Sequence, residues 1–74
     1  MDRNESRAVV AGMLLNKVRQ ERYPSATELS LIEQIIPSQL LPRYVDVLVE
    51  KIAQDDRPSI SLLHRLDRVT KGMP

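Results

Sequence analysis

Apolar residues recur every three or four positions along most of this chain, in four separate runs. The first run comprises Val10, Leu14 and Val18 at i, i+4 and i+8, flanked by Ala11 and Leu15. This spacing predicts a helix over residues 5–22 with one apolar face. Asp2 or Asn4 is placed to cap it, and Pro24 disfavours helical backbone at the residue before it. Gly12 costs about 1 kcal/mol in a helix interior, and we interpret it as room for a neighbouring helix.

The second run predicts a shorter helix that starts at a capping box. In this motif the Ser25 hydroxyl accepts from the backbone of Glu28, and the Glu28 carboxylate reaches back to Ser25. The predicted helix extends to about Ile36, before Pro37. Its apolar positions are Leu29, Ile32 and Ile36, with Leu31 and Ile35 adjoining.

The third and fourth runs predict two more helices. Ser38 is one candidate cap for the third, with Pro42 tolerated in its first turn; alternatively, Pro42 is itself the first helical residue. The fourth starts with Ser59 as its cap, after Pro58, and stops at Gly72. The predicted inward positions are Leu41, Val45, Leu48 and Ile52 on the third helix and Leu62, Leu63, Leu66 and Val69 on the fourth.

The second half of the chain resembles the first at a spacing of 34 residues. Pro24–Ser25 recurs as Pro58–Ser59, and Lys17 recurs as Lys51. Duplication and convergent use of Pro-Ser as a helix start both explain this, with the same geometry. Each half is an αα-hairpin that cannot bury its apolar faces alone. We therefore predict an all-α fold, a compact bundle of four helices in one domain (1–74) with two tandem αα-hairpins, residues 5–36 and 38–72.

Composition narrows the functional classes. The chain has 74 residues, no Cys, one His and a formal net charge of +1. We expect no disulfide, no metal site and no cofactor. The longest apolar run, Val9–Leu15, is far shorter than the ~20 residues of a membrane span. The N-terminus does not have the pattern of a secretory signal, so we expect a cytoplasmic protein that does not bind membranes.

The last predicted helix carries a row of basic side chains. We call Arg57, His64, Arg65, Arg68 and Lys71 the basic stripe. One interpretation is that the stripe grips phosphates or an acidic partner. The other is that it is a solvated face, with its charges partly paired along the helix and with the acidic third helix.

The same helix contains a string with the look of a catalytic motif. Residues 64–72 resemble the His-Arg-Leu-Asp-Arg-x-Thr-Ser-Gly motif of a pseudouridine synthase family, with Lys71 in place of Ser. In that family the Asp is the nucleophile, which implies Asp67 here. The family fold is a much larger mixed β-sheet domain, and the chain after the motif builds part of its site. We therefore do not transfer the activity, and we predict that the chain is not an enzyme.

A second apolar set lies beside the main stripes of the long helices. We call Val9, Met13, Leu40 and Val47 the secondary apolar strip. It either widens the faces by which the long helices touch their neighbours or forms a binding surface. We expect a small non-enzymatic protein–protein interaction module that binds a protein partner or, as a homodimer, itself. The alternative is a nucleic-acid-binding regulator that uses the basic last helix, for which affinity would fall steeply with log[salt].

Overall fold

Helix α1 (Arg3–Gln20) begins at a cap that the sequence offers. Asp2 Oδ1 accepts a hydrogen bond from the backbone N–H of Glu5 at 2.7 Å, which satisfies a donor that no helical carbonyl reaches. The helix ends earlier than predicted, because the backbone is already extended at Glu21.

The structure, a computed structural model, describes residues 2–55 and 59–72.

Helix α2 (Ala26–Ile35) starts at the predicted capping box. The Glu28 N–H donates to Ser25 Oγ at 3.1 Å, and the Ser25 N–H donates to Glu28 Oε1 at 3.2 Å. The backbone hydrogen bond from Ser25 lowers the pKa of the Glu28 carboxyl, against the effect of burial. The box therefore holds Glu28 as an anion at the positive end of the helix dipole.

Removing the Ser25 hydroxyl should weaken this helix start. We expect Ser25→Ala to lower the free energy of unfolding by about 1 kcal/mol, the usual contribution of an N-cap. Urea unfolding followed by circular dichroism measures the change. Ser38→Ala is the matched control, because Ser38 makes no capping hydrogen bond. Equal effects at the two positions would contradict the assignment.

The start of helix α3 (Leu41–Gln54) differs from the prediction for Ser38. Residues Ser38–Leu40 form a single 3₁₀ turn that runs directly into the helix, and Leu40 is the capping residue without a side-chain bond. Serine capping at residue 38 is therefore wrong, because the chain is already turning there. Pro42 does lie in the first turn, where its missing N–H has no helical acceptor to lose.

Helix α4 (Ile60–Lys71) starts as predicted at Ser59, whose Oγ accepts from the Leu62 N–H at 3.3 Å. Gly72 follows the helix at φ −83°, an ordinary right-handed conformation. The glycine is therefore not required there for a left-handed turn. Pro58, the residue before this cap, lies outside the described residues.

The helices pack in two consecutive pairs, α1 with α2 and α3 with α4, and α1 packs on α3. The all-α prediction of four helices as two tandem hairpins is confirmed. The radius of gyration is 12.1 Å, close to the ~11 Å expected for a compact chain of this length. The core consists of Leu15, Val18, Leu29, Ile32, Tyr44, Val47 and Leu48, with Ala11 also buried.

The buried faces of α1 and α3 are rotated from the predicted ones. On α1 the buried residues are Ala11, Leu15 and Val18, whereas Val10 is exposed. On α3 they are Tyr44, Val47, Leu48 and Lys51, a stripe turned by about 80° from the predicted one at 100° per residue. Tyrosine and lysine bring apolar bodies inside while their polar tips find partners, so counting apolar residues alone misplaces the stripe.

The 34-residue repeat does not extend to the environments of matching side chains. Lys17 is exposed and lies 3.8 Å from Glu28 Oε2. Its counterpart Lys51 is only 4% exposed, and its Nζ donates to the backbone carbonyl of Arg19 at 2.7 Å. The two hairpins therefore have the same order of helices but different side-chain environments. Gly12 also differs from its prediction, because no atom lies within 4 Å of the place where its Cβ would be.

Candidate functional site

One carboxylate on α2 is hydrogen-bonded to side chains of two other helices, α3 and α4. Glu33 on α2 accepts hydrogen bonds from the Tyr44 hydroxyl on α3 and from Arg65 and Arg68 on α4, with 2.8 Å between Arg65 Nη1 and Glu33 Oε2. We call these four residues the Glu33 cluster. Its side chains tie the second hairpin to the first.

Arg65 is the best-buried member of the basic stripe among the described residues. Its side chain is 12% exposed, and its second terminal nitrogen donates to the Ala26 carbonyl at 3.2 Å and to Ser30 Oγ at 3.1 Å. Together with Glu33, these acceptors satisfy a guanidinium that would be costly to bury unpaired. Arg65 therefore links α4 to α2 by hydrogen bonds.

Local chemistry shifts the titration of two members of the Glu33 cluster in opposite directions. Burial opposes ionisation of Glu33, but the hydrogen bonds from Tyr44, Arg65 and Arg68 outweigh it, so the pKa of the carboxyl is lowered. Burial, together with the adjacent Glu33 anion, raises the pKa of the Tyr44 phenol. The cluster is thus a Glu33 anion held by one neutral donor and two cations.

The exposed part of the basic stripe is only partly free to meet a partner. Arg68 is 65% exposed and bonded to Glu33, and Lys71 Nζ lies 3.0 Å from Asp67 one helical turn earlier. His64 is exposed. Arg57 lies outside the described residues. Lys71 therefore pairs along α4, as one interpretation expects. Arg65 and Arg68 bind a carboxylate on α2, and not one on the acidic third helix.

The secondary apolar strip is divided by the structure. Val47 is buried in the core, and Leu40 is half-buried against it. The rotation of α3 described above is the cause, because it turns Val47 inward. Val9 and Met13 are exposed, so the strip is not one continuous surface, and its exposed part lies on α1 alone.

The outward side of α1 carries three large apolar side chains within five residues. Val9, Val10 and Met13 are 48%, 46% and 66% exposed, and we call them the α1 outer face. Val9 and Met13 lie on the side opposite the buried Ala11, as expected for a spacing of 100° per residue. Residues 8–16 contain no ionisable side chain, so no charge separates the three.

Helix α2 adds one apolar side chain near this surface. Lys17 on α1 lies 3.8 Å from Glu28 on α2, so the two residues are at a similar level of the antiparallel helices. One turn after Glu28 is Leu31, and one turn before Lys17 is Leu14, so the two lie at the same level. Leu31 is 45% exposed, so α2 also presents an apolar side chain to solvent at this level.

The residue implied by the motif resemblance lies on the surface of α4. This residue, Asp67, is exposed to solvent and paired with Lys71. No three His, Cys, Asp or Glu side chains within 2–55 and 59–72 are grouped closely enough to hold a metal ion. None of the helices described is both long and apolar enough to cross a bilayer.

The sequence does not predict that Val10 and Leu31 are exposed. It also does not predict that Glu33 accepts hydrogen bonds from three side chains on other helices. The i, i+4, i+8 spacing of Val10, Leu14 and Val18 predicts Val10 on the core face. The signal that does identify the outer face is the absence of charge from residues 8–16, which leaves apolar residues around the whole helix. For Glu33, no local pattern distinguishes a hub carboxylate from a solvated one, because its partners come from distant helices.

Function must be argued from these surfaces themselves, because the chain matches no protein-family model, no curated protein and no solved structure.

Proposed function

We propose that this chain is a small non-enzymatic interaction module that binds another protein through the α1 outer face. The observation that carries the proposal is the exposure of Val9, Val10 and Met13 on a helix whose opposite side contributes to the core. Adjacent exposed apolar side chains mark interaction sites more often than scattered ones do. The fold gains nothing from holding these three in water.

The contrast with the other long helix supports this choice of surface. The outward side of α3 carries Arg43, Asp46 and Glu50, all exposed, as is usual for a face that stays in solvent. On α1, in contrast, residues 8–16 carry no ionisable side chain, so the centre of the outward side is uncharged. The cores of protein interfaces are likewise depleted of charged residues.

Nucleic-acid binding through the basic stripe receives less support. Arg65 donates hydrogen bonds to three acceptors on α2. Arg68 is paired with Glu33, and Lys71 is paired with Asp67. Two paired cations and one His provide few phosphate contacts, and the formal net charge is only +1. We therefore place the binding function on the α1 outer face.

Site-specific photocrosslinking tests the proposal directly. A benzophenone amino acid at position 9 should crosslink to protein in cells that naturally make the chain, because the α1 outer face would be covered there. Position 49 is a closely matched control, since Val9 and Val49 are both valines in mid-helix and both 48% exposed. Denaturing electrophoresis would show the crosslinked species.

We expect a discrete crosslinked band from position 9 and none from position 49. Adding Met13→Glu should remove the band, because a carboxylate placed in an apolar contact is costly to desolvate. Bands of equal strength from both positions, or none from either, would contradict the proposed function.

A further inference from the structure

Gly12 lies in the interior of α1 in a conformation and an environment that do not require glycine. A glycine in the interior of a helix costs about 1 kcal/mol relative to alanine. Its φ is not positive, and a Cβ added to it would meet no atom within 4 Å. The monomer therefore has no conformational or packing need for glycine at this position.

Gly12 lies beside the exposed side chains of the α1 outer face. It follows Val9 by three residues and precedes Asn16 by four, so the three share one side of the helix, with Met13 adjoining. Where a helix surface is free of side chain, the backbone of another helix can approach more closely. The missing side chain thus leaves room on a surface that is otherwise apolar.

We infer that two copies of this chain pair through α1, with the helices crossing in antiparallel orientation near Gly12. This inference rests on the proposed function and names its partner. In a two-fold symmetric pair the same patch is used by both copies, so every contact is made twice. Residues 8–16 contain no ionisable side chain, so the centre of the patch meets its own copy without opposing like charges.

The size of the surface sets the expected strength of this dimer. Helix α1 has 18 residues and is about 27 Å long, and only its central part is apolar on the outside. A stable interface commonly buries about 800 Å² on each partner, more than the centre of one such helix provides. We therefore expect a dissociation constant in the micromolar range, where monomer and dimer coexist.

Substitutions at Gly12 separate the dimer from the fold. Gly12→Ala should raise the free energy of unfolding of the monomer, because alanine favours the helix and has room there. It should also raise the dissociation constant of the dimer at least tenfold, because the added methyl groups hold the helices apart. Gly12→Leu should give a folded monomer.

Sedimentation equilibrium of the purified chain from micromolar to millimolar concentration, with circular dichroism, provides the readout. Val9→Glu should abolish the dimer, and Val49→Glu should leave its dissociation constant unchanged. A wild-type chain that stays monomeric at millimolar concentration would overturn the inference, as would a dimer that Gly12→Leu leaves intact. If it is monomeric but position 9 still crosslinks to another protein, the proposed function stands and only the choice of partner fails.

Discussion

Replacing Glu33 with alanine should destabilise the fold by about 3 kcal/mol. The substitution leaves the buried Tyr44 hydroxyl and the nearly buried Arg65 guanidinium without their main acceptor, and orphaned buried polar groups carry a penalty of this order. A domain of this size has only roughly 5–10 kcal/mol of stability. Urea unfolding followed by circular dichroism would therefore show a greatly reduced midpoint.

Asp67→Ala is the control for the Glu33 experiment. It removes another carboxylate with a cationic partner, but its ion pair with Lys71 lies in solvent, with side chains 62% and 75% exposed. Exposed pairs of this kind contribute about 0–1 kcal/mol. An effect of Glu33→Ala no larger than that of Asp67→Ala would show that the Glu33 cluster does not hold the hairpins together.

The difference in stability between the wild type and Glu33→Ala should also become smaller at low pH. The folded-state pKa of Glu33 lies below its ordinary value of 4.5, so the unfolded chain takes up a proton first as the pH falls. The stabilisation from Glu33 is therefore fully present above pH 4.5 and is lost as the pH drops from there through the folded-state pKa. The stability gap between wild type and Glu33→Ala should narrow correspondingly.

Replacing Lys51 with alanine should lower the free energy of unfolding by about 2–3 kcal/mol. The change removes the bond to the Arg19 carbonyl, near the C-terminal end of α1, and empties the space that the buried lysine stem occupies. A cation at a helix C-terminus also interacts favourably with the helix dipole. Differential scanning calorimetry would record the loss as a lower melting temperature.

Lys17→Ala provides the comparison for Lys51, because the two lysines occupy equivalent positions in the 34-residue repeat. Lys17 is 67% exposed, and its ammonium is 3.8 Å from Glu28, so its loss should change stability by less than about 1 kcal/mol. Similar melting temperatures for the two variants would mean that burial of Lys51 does not contribute to the packing of α3 on α1.

The helices and most of their caps were predictable from the sequence because the relevant interactions are local. Asp2, Ser25 and Ser59 each bond a backbone N–H three residues later, a relation that is visible in the order of residues. The start of α3 was not predictable in the same way. Ser38 has the right chemistry for a cap, but a 3₁₀ turn takes its place.

The orientation of the helices about their axes was harder to predict, and the candidate site depends on it. Val10 is predicted on the core face of α1 but lies in solvent. Val47 is predicted beside the core face of α3 but lies in the core. The rotation of α3 follows from the partners of Tyr44 and Lys51, which are on α2 and α1. Such long-range partners are not encoded in the periodicity of any single helix.

The polar ties between the hairpins also bear on the order in which the chain folds. Lys51 meets Arg19 across 32 positions, and Arg65 and Arg68 meet Glu33 across 32 and 35. Closing short loops costs less entropy than closing long ones, so each hairpin should collapse first and the two should dock afterwards. Docking of the two hairpins is then the slow step of folding. The three hydrogen bonds between the hairpins act mainly on the rate of unfolding.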